Sequence, residues 1–141
     1  MNDGIKPSSE QETFWAGTFG DEYTARNVSN RLLASNTALF ARILKRTNGI
    51  RSILELGANR GMNLHALRSL LPVAEISAVE INKAAVAELS SIPGIRVFHS
   101  SLQDFKTADS YDLVFTKGVL IHLAPDSLPD VYRLMATTTN R

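Results

Sequence analysis

Apolar residues along this chain form two kinds of pattern, short continuous runs and longer stretches with helical spacing. Four runs are typical of buried parallel strands: residues 52–56, 76–80, 95–99 and 111–117. Three stretches show the spacing of a helix: residues 28–47, 64–71 and 83–91. Pro125 and Pro129 each suit the start of a last helix. This order predicts a Rossmann-like three-layer αβα sandwich with a mostly parallel sheet in strand order 3-2-1-4.

The N-terminal segment precedes this pattern and is organised differently. The first nine residues are polar and predict a flexible tail, whereas four aromatic side chains crowd into residues 10–27. Gly17 and Gly20 interrupt this aromatic segment, so we expect two short helical pieces that flank a bend. The segment either covers the hydrophobic core or forms a lid over a ligand site that Tyr23 or Arg26 could reach.

Composition and charge narrow the class of protein. A chain of 141 residues with 44% hydrophobic and 21% charged residues is typical of one globular domain, here residues 10–141. The net charge of +1 argues against a nucleic-acid partner, and the absence of cysteine removes disulfides and thiolate zinc sites. No metal site is predicted. Neither a signal peptide nor a membrane-length apolar run stands out, so we expect a cytoplasmic protein without a membrane partner.

A glycine-bearing turn follows the first strand and leads into a helix. A dinucleotide fingerprint starting at Gly57 would require glycine at the positions of Asn59 and Met62. The spacing instead places Glu55 before Gly57, with Asn59 and Gly61 after it, and Asn59 tolerates the left-handed conformation. We expect bare glycines to admit a ligand, with the N–H groups of the helix start facing it. An ordinary connection without a ligand is the alternative.

Glu80 ends the second strand and supplies a second carboxylate at the same edge of the sheet. In nucleotide-binding folds of this topology, an acidic residue about 20 residues past the glycine turn holds the ribose hydroxyls. A solvated charge at a strand end is the alternative interpretation. The glycine turn favours the ligand-binding one.

Two further segments are predicted to reach this edge. After the third strand, Ser101 and Leu102 could contact the edge of an adenine base through a hydroxyl and backbone N–H groups, and Asp104 could cap a short turn. After the fourth strand, Lys117 could contact an acidic ligand, or could simply be an exposed charge. His122 follows in the same segment and could pack against a cofactor or act as a base.

The residues Glu55-x-Gly57-x-Asn59-x-Gly61 resemble motif I, E/D-x-G-x-G-x-G, of the class I S-adenosylmethionine-dependent methyltransferases, with Asn59 as the departure. The block FWAGTFGDEYTARN, residues 14–27, is similar to the N-terminal signature of the pseudaminic acid biosynthesis-associated methylases. Residues 53–63 and 115–122 look similar to the same family, so the resemblance covers nearly all of residues 10–141.

This resemblance implies S-adenosylmethionine as cofactor and a small-molecule acceptor, such as a sugar or sugar acid of nonulosonic (pseudaminic) acid and surface-glycan biosynthesis. With such an acceptor, Lys117 could neutralise an acidic sugar. The acceptor itself stays open. The expected cofactor-binding residues are Glu55, Gly57, Ala58, Asn59, Gly61, Glu80, Ile81, Ser101, Leu102, Lys117 and Gly118. His122 and Tyr23 are candidates for a general base, and neither is assigned.

The full class I fold has seven strands in the order 3-2-1-4-5-7-6, and this chain stops where strand five is expected. We therefore expect a C-terminally truncated fold without strands 5–7 and an exposed edge at strand four. Self-association through that edge, or a cofactor-binding module with little turnover, would follow. A nucleotide-linked oxidoreductase is a third hypothesis, which the glycine spacing disfavours.

Overall fold

The computed structural model describes residues 5–26 and 29–140. Six helices are found in this part: α1 (Glu10–Ala16), α2 (Thr18–Arg26), α3 (Asn30–Leu44), α4 (Met62–Leu70), α5 (Lys83–Ser90) and α6 (Leu128–Thr138). Four strands alternate with them: β1 (Ser52–Leu56), β2 (Glu75–Glu80), β3 (Ile95–His99) and β4 (Leu113–Phe115). Two 3₁₀ turns connect β4 to α6: Leu120–His122 and Pro125–Ser127.

The strands form one parallel sheet in the order β3-β2-β1-β4, which confirms the predicted topology. The central strand β1 is buried on both faces. Ile53 packs with residues of α3, α4 and α5, whereas Leu54 and Leu56 pack with Phe105 and with residues of α6. The layers α3–α5, sheet, and α6 with the loop before β4 therefore give the expected sandwich.

Side-chain caps fix where three of the helices begin. Ser9, Ser29 and Asn82 accept the N–H groups of Glu12, Leu32 and Ala85 at 3.1, 3.0 and 2.9 Å. The cap at Ser29 and the end of α3 at Leu44 make this helix shorter than the predicted 28–47. The alternative cap, Asn27, lies outside the described residues. At Asn82 the predicted cap is confirmed.

The N-terminal segment contains the two predicted helical pieces, but only one of its glycines breaks them. The backbone turns at Gly17, between α1 and α2. Gly20 lies inside α2, contrary to the prediction. Glycine is needed at this position because a Cβ would come within 1.9 Å of the carbonyl oxygen of Trp15. Within the expected tail, the N–H and hydroxyl of Ser8 donate to Glu12 Oε2 at 2.6 and 2.8 Å.

The fourth strand is shorter than the predicted 111–117. Before it, the carboxylate of Asp112 accepts the N–H groups of Arg51 and Ser52, which ties the start of β4 to β1. After it, the hydroxyl of Thr116 donates to the carbonyl of Leu56 at 2.8 Å, and the chain leaves the sheet. Side-chain bonding thus replaces strand pairing at both ends.

The outer edge of β4 carries the beginning of a further pairing. The N–H of Tyr111 donates to Thr138 O, and the N–H of Asn140 donates to Tyr111 O, both at 2.8 Å. The segment after α6 therefore lies parallel beside the start of β4. Self-association through this edge stays a prediction.

In residues 5–26 and 29–140, no helix is long and apolar enough to cross a membrane. The same residues contain no group of three or more His, Asp or Glu side chains placed to hold a metal ion.

Candidate functional site

A cavity of about 230 Å³ lies where the carboxyl ends of the strands meet α1 and α2. It contains most of the predicted site residues: Tyr23, Gly57, Ala58, Asn59, Glu80, Ile81, Leu102, Lys117, Gly118 and His122. Three other predicted site residues, Glu55, Gly61 and Ser101, are not among the described residues that line the cavity. The sequence patterns therefore predict where the cavity lies, but they do not distinguish the residues that line it from those that lie behind its wall.

Glu80 joins the two loops that border the cavity. Its Oε2 accepts the N–H of Asn59 at 2.7 Å, and its Oε1 accepts the N–H groups of Ile81 and Asn82 at 2.9 and 2.8 Å. Burial raises the pKa of Glu80, and the three backbone hydrogen bonds oppose this shift. The carboxylate is therefore a structural link as well as a wall of the cavity, and its contact with a ribose stays a prediction.

Asn59 has the left-handed conformation expected of it, with φ of 49°. Packing requires the two glycines beside it, and Gly57 also lines the cavity, so their role in ligand approach stays a prediction. A Cβ on Gly57 would come within 2.6 Å of Val119 Cγ2, and a Cβ on Gly61 within 2.8 Å of Ile92 Cδ1. Side chains of this protein occupy the space that the missing Cβ atoms leave.

The N–H groups of the glycine turn are also used internally. Those of Gly57 and Ala58 donate to Val79 O at 2.8 and 3.2 Å, and that of Asn59 donates to Glu80. Their bonds hold the turn against the tip of β2. The predicted ligand contact of the N–H groups at the start of α4, which begins at Met62, stays a prediction.

Glu55 lies behind the cavity wall, fully buried at the end of β1. Its Oε1 accepts a hydrogen bond from Asn63 Nδ2 at 2.6 Å, and no group in the described part of the chain donates to its Oε2. Burial raises the pKa of Glu55 to about 8. The hydrogen bond from Asn63 opposes this shift, the charge of Glu80 adds to it, and the charge of Lys117 opposes it. With this pKa, the carboxyl of Glu55 is mainly protonated at neutral pH.

Asn63 stands between Glu55 and the cavity, and sequence reasoning missed it. It lines the cavity, and within the described residues its Oδ1 has no hydrogen-bond partner. The only signal for it is a polar residue among the apolar positions of the first turn of α4, two residues after Gly61. Asn63 thus adds a buried acceptor without a described partner to the wall of the cavity.

Lys117 lies at the other side of the β1 tip. Its Nζ donates to Oδ1 of Asn36 at 3.2 Å, and Asn36 is buried in α3. Both residues line the cavity. A cation is therefore positioned here by a helix from outside the βαβ unit, a contact that spacing along the chain could not predict.

The segment after β3 differs from the prediction. The hydroxyl of Ser101 accepts the N–H of Asp104 at 3.1 Å, so Ser101 is the cap of this turn and Asp104 is not. Ser100, Leu102 and Gln103 line the cavity instead. Oε1 of Gln103 is buried, and no donor reaches it from the described residues.

Helices α1 and α2 cover the cavity as a lid, and two side chains attach them. Asn82 Nδ2 donates to Trp15 O at 3.1 Å and to Asp21 Oδ1 at 2.8 Å. Arg60 Nη1 donates to Thr24 O at 3.2 Å. The observed packing favours the lid interpretation of the aromatic segment over a simple cover of the core.

A parallel 3-2-1-4 sheet with a cavity at its switch point and a carboxylate on the tip of β2 defines an α/β domain of the nucleotide-binding class. Comparison with family models narrows this class. Residues 53–140, more than half of the chain, match the family described as a methyltransferase domain. The chain belongs to this methyltransferase family. No curated protein matches it significantly.

Solved structures show the same fold. The plantazolicin methyltransferase BpumL in complex with SAH has a TM-score of 0.71 at 15% identity, with 92% of this chain and 53% of that chain covered. SAM-bound CalS10, an amino pentose methyltransferase from Micromonospora echinaspora, has a TM-score of 0.68 at 17% identity, covering 86% and 51%. The sugar N-methyltransferase KedS8 from Streptoalloteichus sp ATCC 53650 has a TM-score of 0.67 at 19% identity, covering 97% and 53%. This chain spans about half the length of these structures.

Proposed function

We propose that this chain binds S-adenosylmethionine in the cavity and transfers its methyl group to a small-molecule acceptor. The observation that carries the proposal is the buried acceptor Oδ1 of Asn63, a residue that lines the cavity; no described group donates to this oxygen, and the carboxyl of Glu55 lies behind it. Buried acceptors without donors are costly, so a ligand that brings N–H groups and positive charge is favoured there. The family match supports a methyl donor as this ligand.

The remaining walls suit the other parts of such a cofactor. Glu80 accepts the ribose hydroxyls through the lone pairs that its three backbone bonds leave over. Lys117 pairs with the carboxylate of the methionine moiety. On the opposite side, Leu102 packs against the adenine, and Gln103 Oε1 accepts its amino group.

When bound, S-adenosylmethionine supplies a methyl group that an acceptor lone pair takes as the carbon–sulfur electron pair stays on sulfur. The acceptor proton passes to a base or to water. This chain orients the reactants and excludes water from them. His122, whose ring centre lies 4.6 Å from that of Trp15, borders the cavity and is the candidate to receive the proton. Tyr23, 5.2 Å from Trp15, is the second candidate.

We propose a sugar or a sugar acid of nonulosonic acid biosynthesis as the acceptor. This part of the proposal rests on the similarity of residues 14–27 to the pseudaminic acid biosynthesis-associated methylases. The similarity of the fold to CalS10, an amino pentose methyltransferase, and to KedS8, a sugar N-methyltransferase, is consistent with it. A cytoplasmic location stays a prediction.

A second candidate is a module that binds the cofactor without turnover. The sheet favours it: within the described residues, no strand pairs with β4 on its outer side, and the bridge of Tyr111 to Thr139 lies before that strand begins. In the solved structures, about half of each chain has no counterpart here. A contribution of further chain to the acceptor side would leave this segment with affinity but little activity.

Titration calorimetry with S-adenosylmethionine, S-adenosylhomocysteine and NADH tests the cofactor. We expect S-adenosylmethionine and S-adenosylhomocysteine to bind and NADH to give no heat. Asn63→Ala should lower the affinity for both sulfur compounds at least fivefold. Binding of NADH alone would show an oxidoreductase instead. Transfer of a tritiated methyl group to a panel of sugars then separates the enzyme from the binding module.

A further inference from the structure

Asn36 is a polar side chain on the buried face of α3. Phe40 lies four residues further along this helix, and the two side chains are equally buried, with 3% of each exposed. Burying an amide costs free energy unless a partner satisfies it, and an apolar side chain would meet no such cost at this position. The presence of asparagine here is therefore explained by the bond that it makes and not by the packing of the helix.

The partner of Asn36 is Lys117, an exposed residue that follows β4. The Nζ of Lys117 donates to Asn36 Oδ1 at 3.2 Å, and because an ammonium group only donates, this contact settles which end of the amide faces the lysine. A free lysine side chain loses rotamer entropy when a ligand immobilises it, and a bond made before the ligand arrives reduces that loss. Asn36 therefore preorganises the position of the cation.

The bond to Asn36 leaves the charge of Lys117 available, because the amide is neutral. No described carboxylate forms an ion pair with Lys117. Arg60, which also lines the cavity, differs, since its Nη2 pairs with Glu88 at 3.2 Å and its Nη1 donates to Thr24 O. Of these two cations at the cavity, Lys117 is the one whose charge no described acid neutralises. An anionic group of a ligand would supply the missing counter-charge.

The position of Lys117 suits one end of an amino-acid group. Glu55 of β1 lies opposite Phe115 of β4, so Lys117 stands two residues beyond this pair, at the tip of the neighbouring strand. On the β1 side, Asn63 is bonded to Glu55 and adds its acceptor Oδ1 to the cavity wall. An amino-acid group carries the two complementary charges, a carboxylate for the cation and an ammonium for the acceptor.

We propose that Asn36 is a positioning residue, which holds the Nζ of Lys117 where its two remaining N–H groups bind the carboxylate of the methionine moiety. The inference rests on the proposed function and deepens it, because Asn36 and Lys117 together make the cavity prefer ligands that carry this carboxylate over nucleosides that lack it. Asn36 acts through Lys117 and needs no contact of its own with the ligand.

Two ligands that differ in this group test the proposal. S-adenosylhomocysteine carries the amino-acid part, whereas methylthioadenosine keeps the adenosine and the sulfur without it. In titration calorimetry, Asn36→Leu should lower the affinity for S-adenosylhomocysteine about fivefold or more and that for methylthioadenosine less than about twofold, with an unfolding midpoint no lower than that of the wild type. Thr37→Val is the matched control on the same helix, since it removes a hydroxyl bonded to Leu33 O, and it should change neither affinity.

A double variant shows whether Asn36 acts through Lys117. Lys117→Met alone should lower the affinity for S-adenosylhomocysteine about tenfold or more, because a charged hydrogen bond is lost. Adding Asn36→Leu to Lys117→Met should lower it less than about twofold further. Asn36→Asp keeps an oxygen beside Lys117 but neutralises its charge, so this affinity should fall although the contact is retained. A purely structural asparagine would give neither result.

Four outcomes would overturn the inference. The first three are unchanged affinity for S-adenosylhomocysteine in Asn36→Leu, an equal loss for both ligands in that variant, and additive losses in the double variant. The fourth uses glucuronic acid as a probe: loss of its binding in Lys117→Met, with unchanged affinity for S-adenosylhomocysteine, would assign the cation to an acidic acceptor. Absence of S-adenosylhomocysteine binding by the wild type would instead overturn the proposed function, and the inference with it.

Discussion

The carboxylate of Glu80 accepts the backbone N–H of Asn59 at 2.7 Å, so the tip of β2 holds the turn that follows β1. Asn59 needs this support because its φ of 49° lies in the left-handed region, which is unfavourable for a residue with a side chain. The same carboxylate fixes the start of the loop after β2. One buried acid thus sets the relative position of both loops at the cavity.

Glu80→Ala should therefore affect folding as well as ligand affinity. The substitution leaves the N–H groups of Asn59, Ile81 and Asn82 without their acceptor, and we expect a loss of roughly 2–4 kcal/mol in the free energy of unfolding. Cofactor affinity should fall by about 1–3 kcal/mol, since charged hydrogen bonds to the ribose are lost. Urea denaturation and titration calorimetry measure the two effects.

Glu75→Ala is the matched control, because Glu75 is the exposed first residue of the same strand. It should change both quantities by less than about 0.5 kcal/mol. An unchanged unfolding free energy in Glu80→Ala would contradict the structural role, and unchanged affinity in a folded variant would contradict the ribose contact.

The raised pKa of Glu55 predicts how stability depends on pH. Burial raises the pKa from an ordinary value of 4.5 to about 8, so the folded chain keeps a proton that the unfolded chain releases above pH 4.5. The contribution of Glu55 is fully present below pH 4.5 and is lost as the pH rises through about 8. We expect this loss to be on the order of a few kcal/mol.

Glu55→Gln removes the titrating group and keeps an oxygen that can accept from Asn63. The difference in unfolding free energy between wild type and variant should therefore shift in favour of the variant between pH 5 and pH 8. Urea denaturation at a series of pH values gives this difference directly. A constant difference across that range would show that Glu55 is ionised in the folded chain.

Two glycines with nearly equal backbone angles separate strain from crowding. Gly57 and Gly118 have φ of 77° and 74°. A Cβ built on Gly57 would meet Val119, whereas one built on Gly118 would meet no described residue within 4 Å apart from its own chain neighbours. Gly118→Ala should cost only the left-handed backbone penalty, about 1–2 kcal/mol. Gly57→Ala should cost roughly 1–3 kcal/mol more, because Val119 is overpacked.

Unfolding midpoints in urea measure both variants. In the double variant Gly57→Ala with Val119→Ala, the crowding is relieved and part of the additional loss should return. Equal costs at Gly57 and Gly118 would show that Val119 moves aside freely and does not determine the glycine.

Predictions from sequence succeeded where a local pattern decides the structure. The parallel order follows from four apolar runs separated by helices, since right-handed crossovers admit few arrangements. The cap at Asn82 and the left-handed Asn59 depend on residue type and on near neighbours. These features could be predicted because few alternatives compete with them.

The predictions failed where contacts between segments that are distant in sequence determine the structure. Gly61 is needed because Ile92 and a leucine of α5 pack against it, and neither is near it in sequence. Ser101 caps the turn that it begins, and Asn63 donates a hydrogen bond to Glu55. Both contacts depend on the direction of a side chain, which spacing along the chain does not give. Spacing predicts which strand tips meet, but not which side chains line the space between them.

Asn82 offers a way to release the lid without disturbing the helix that it caps. Its Oδ1 caps α5, and its Nδ2 donates to Trp15 O and Asp21 Oδ1. Asn82→Asp keeps the cap, removes both donated bonds and places a second carboxylate beside Asp21. We expect α1 and α2 to loosen while the sheet stays folded.

Trp15 reports this change, because it is the single tryptophan of the chain and lies in the lid. Its emission should shift to longer wavelength in Asn82→Asp, and acrylamide should quench it at least twice as efficiently, as water gains access. Asn82→Ala should show the same opening together with a further loss of about 1 kcal/mol in unfolding free energy, since the cap is lost as well.

If emission and quenching are the same in Asn82→Asp as in wild type, the lid is held by its aromatic contacts with His122 and not by Asn82. In that case loss of S-adenosylhomocysteine from the cavity should be equally slow in both proteins, whereas a lid held by Asn82 predicts faster release from the variant.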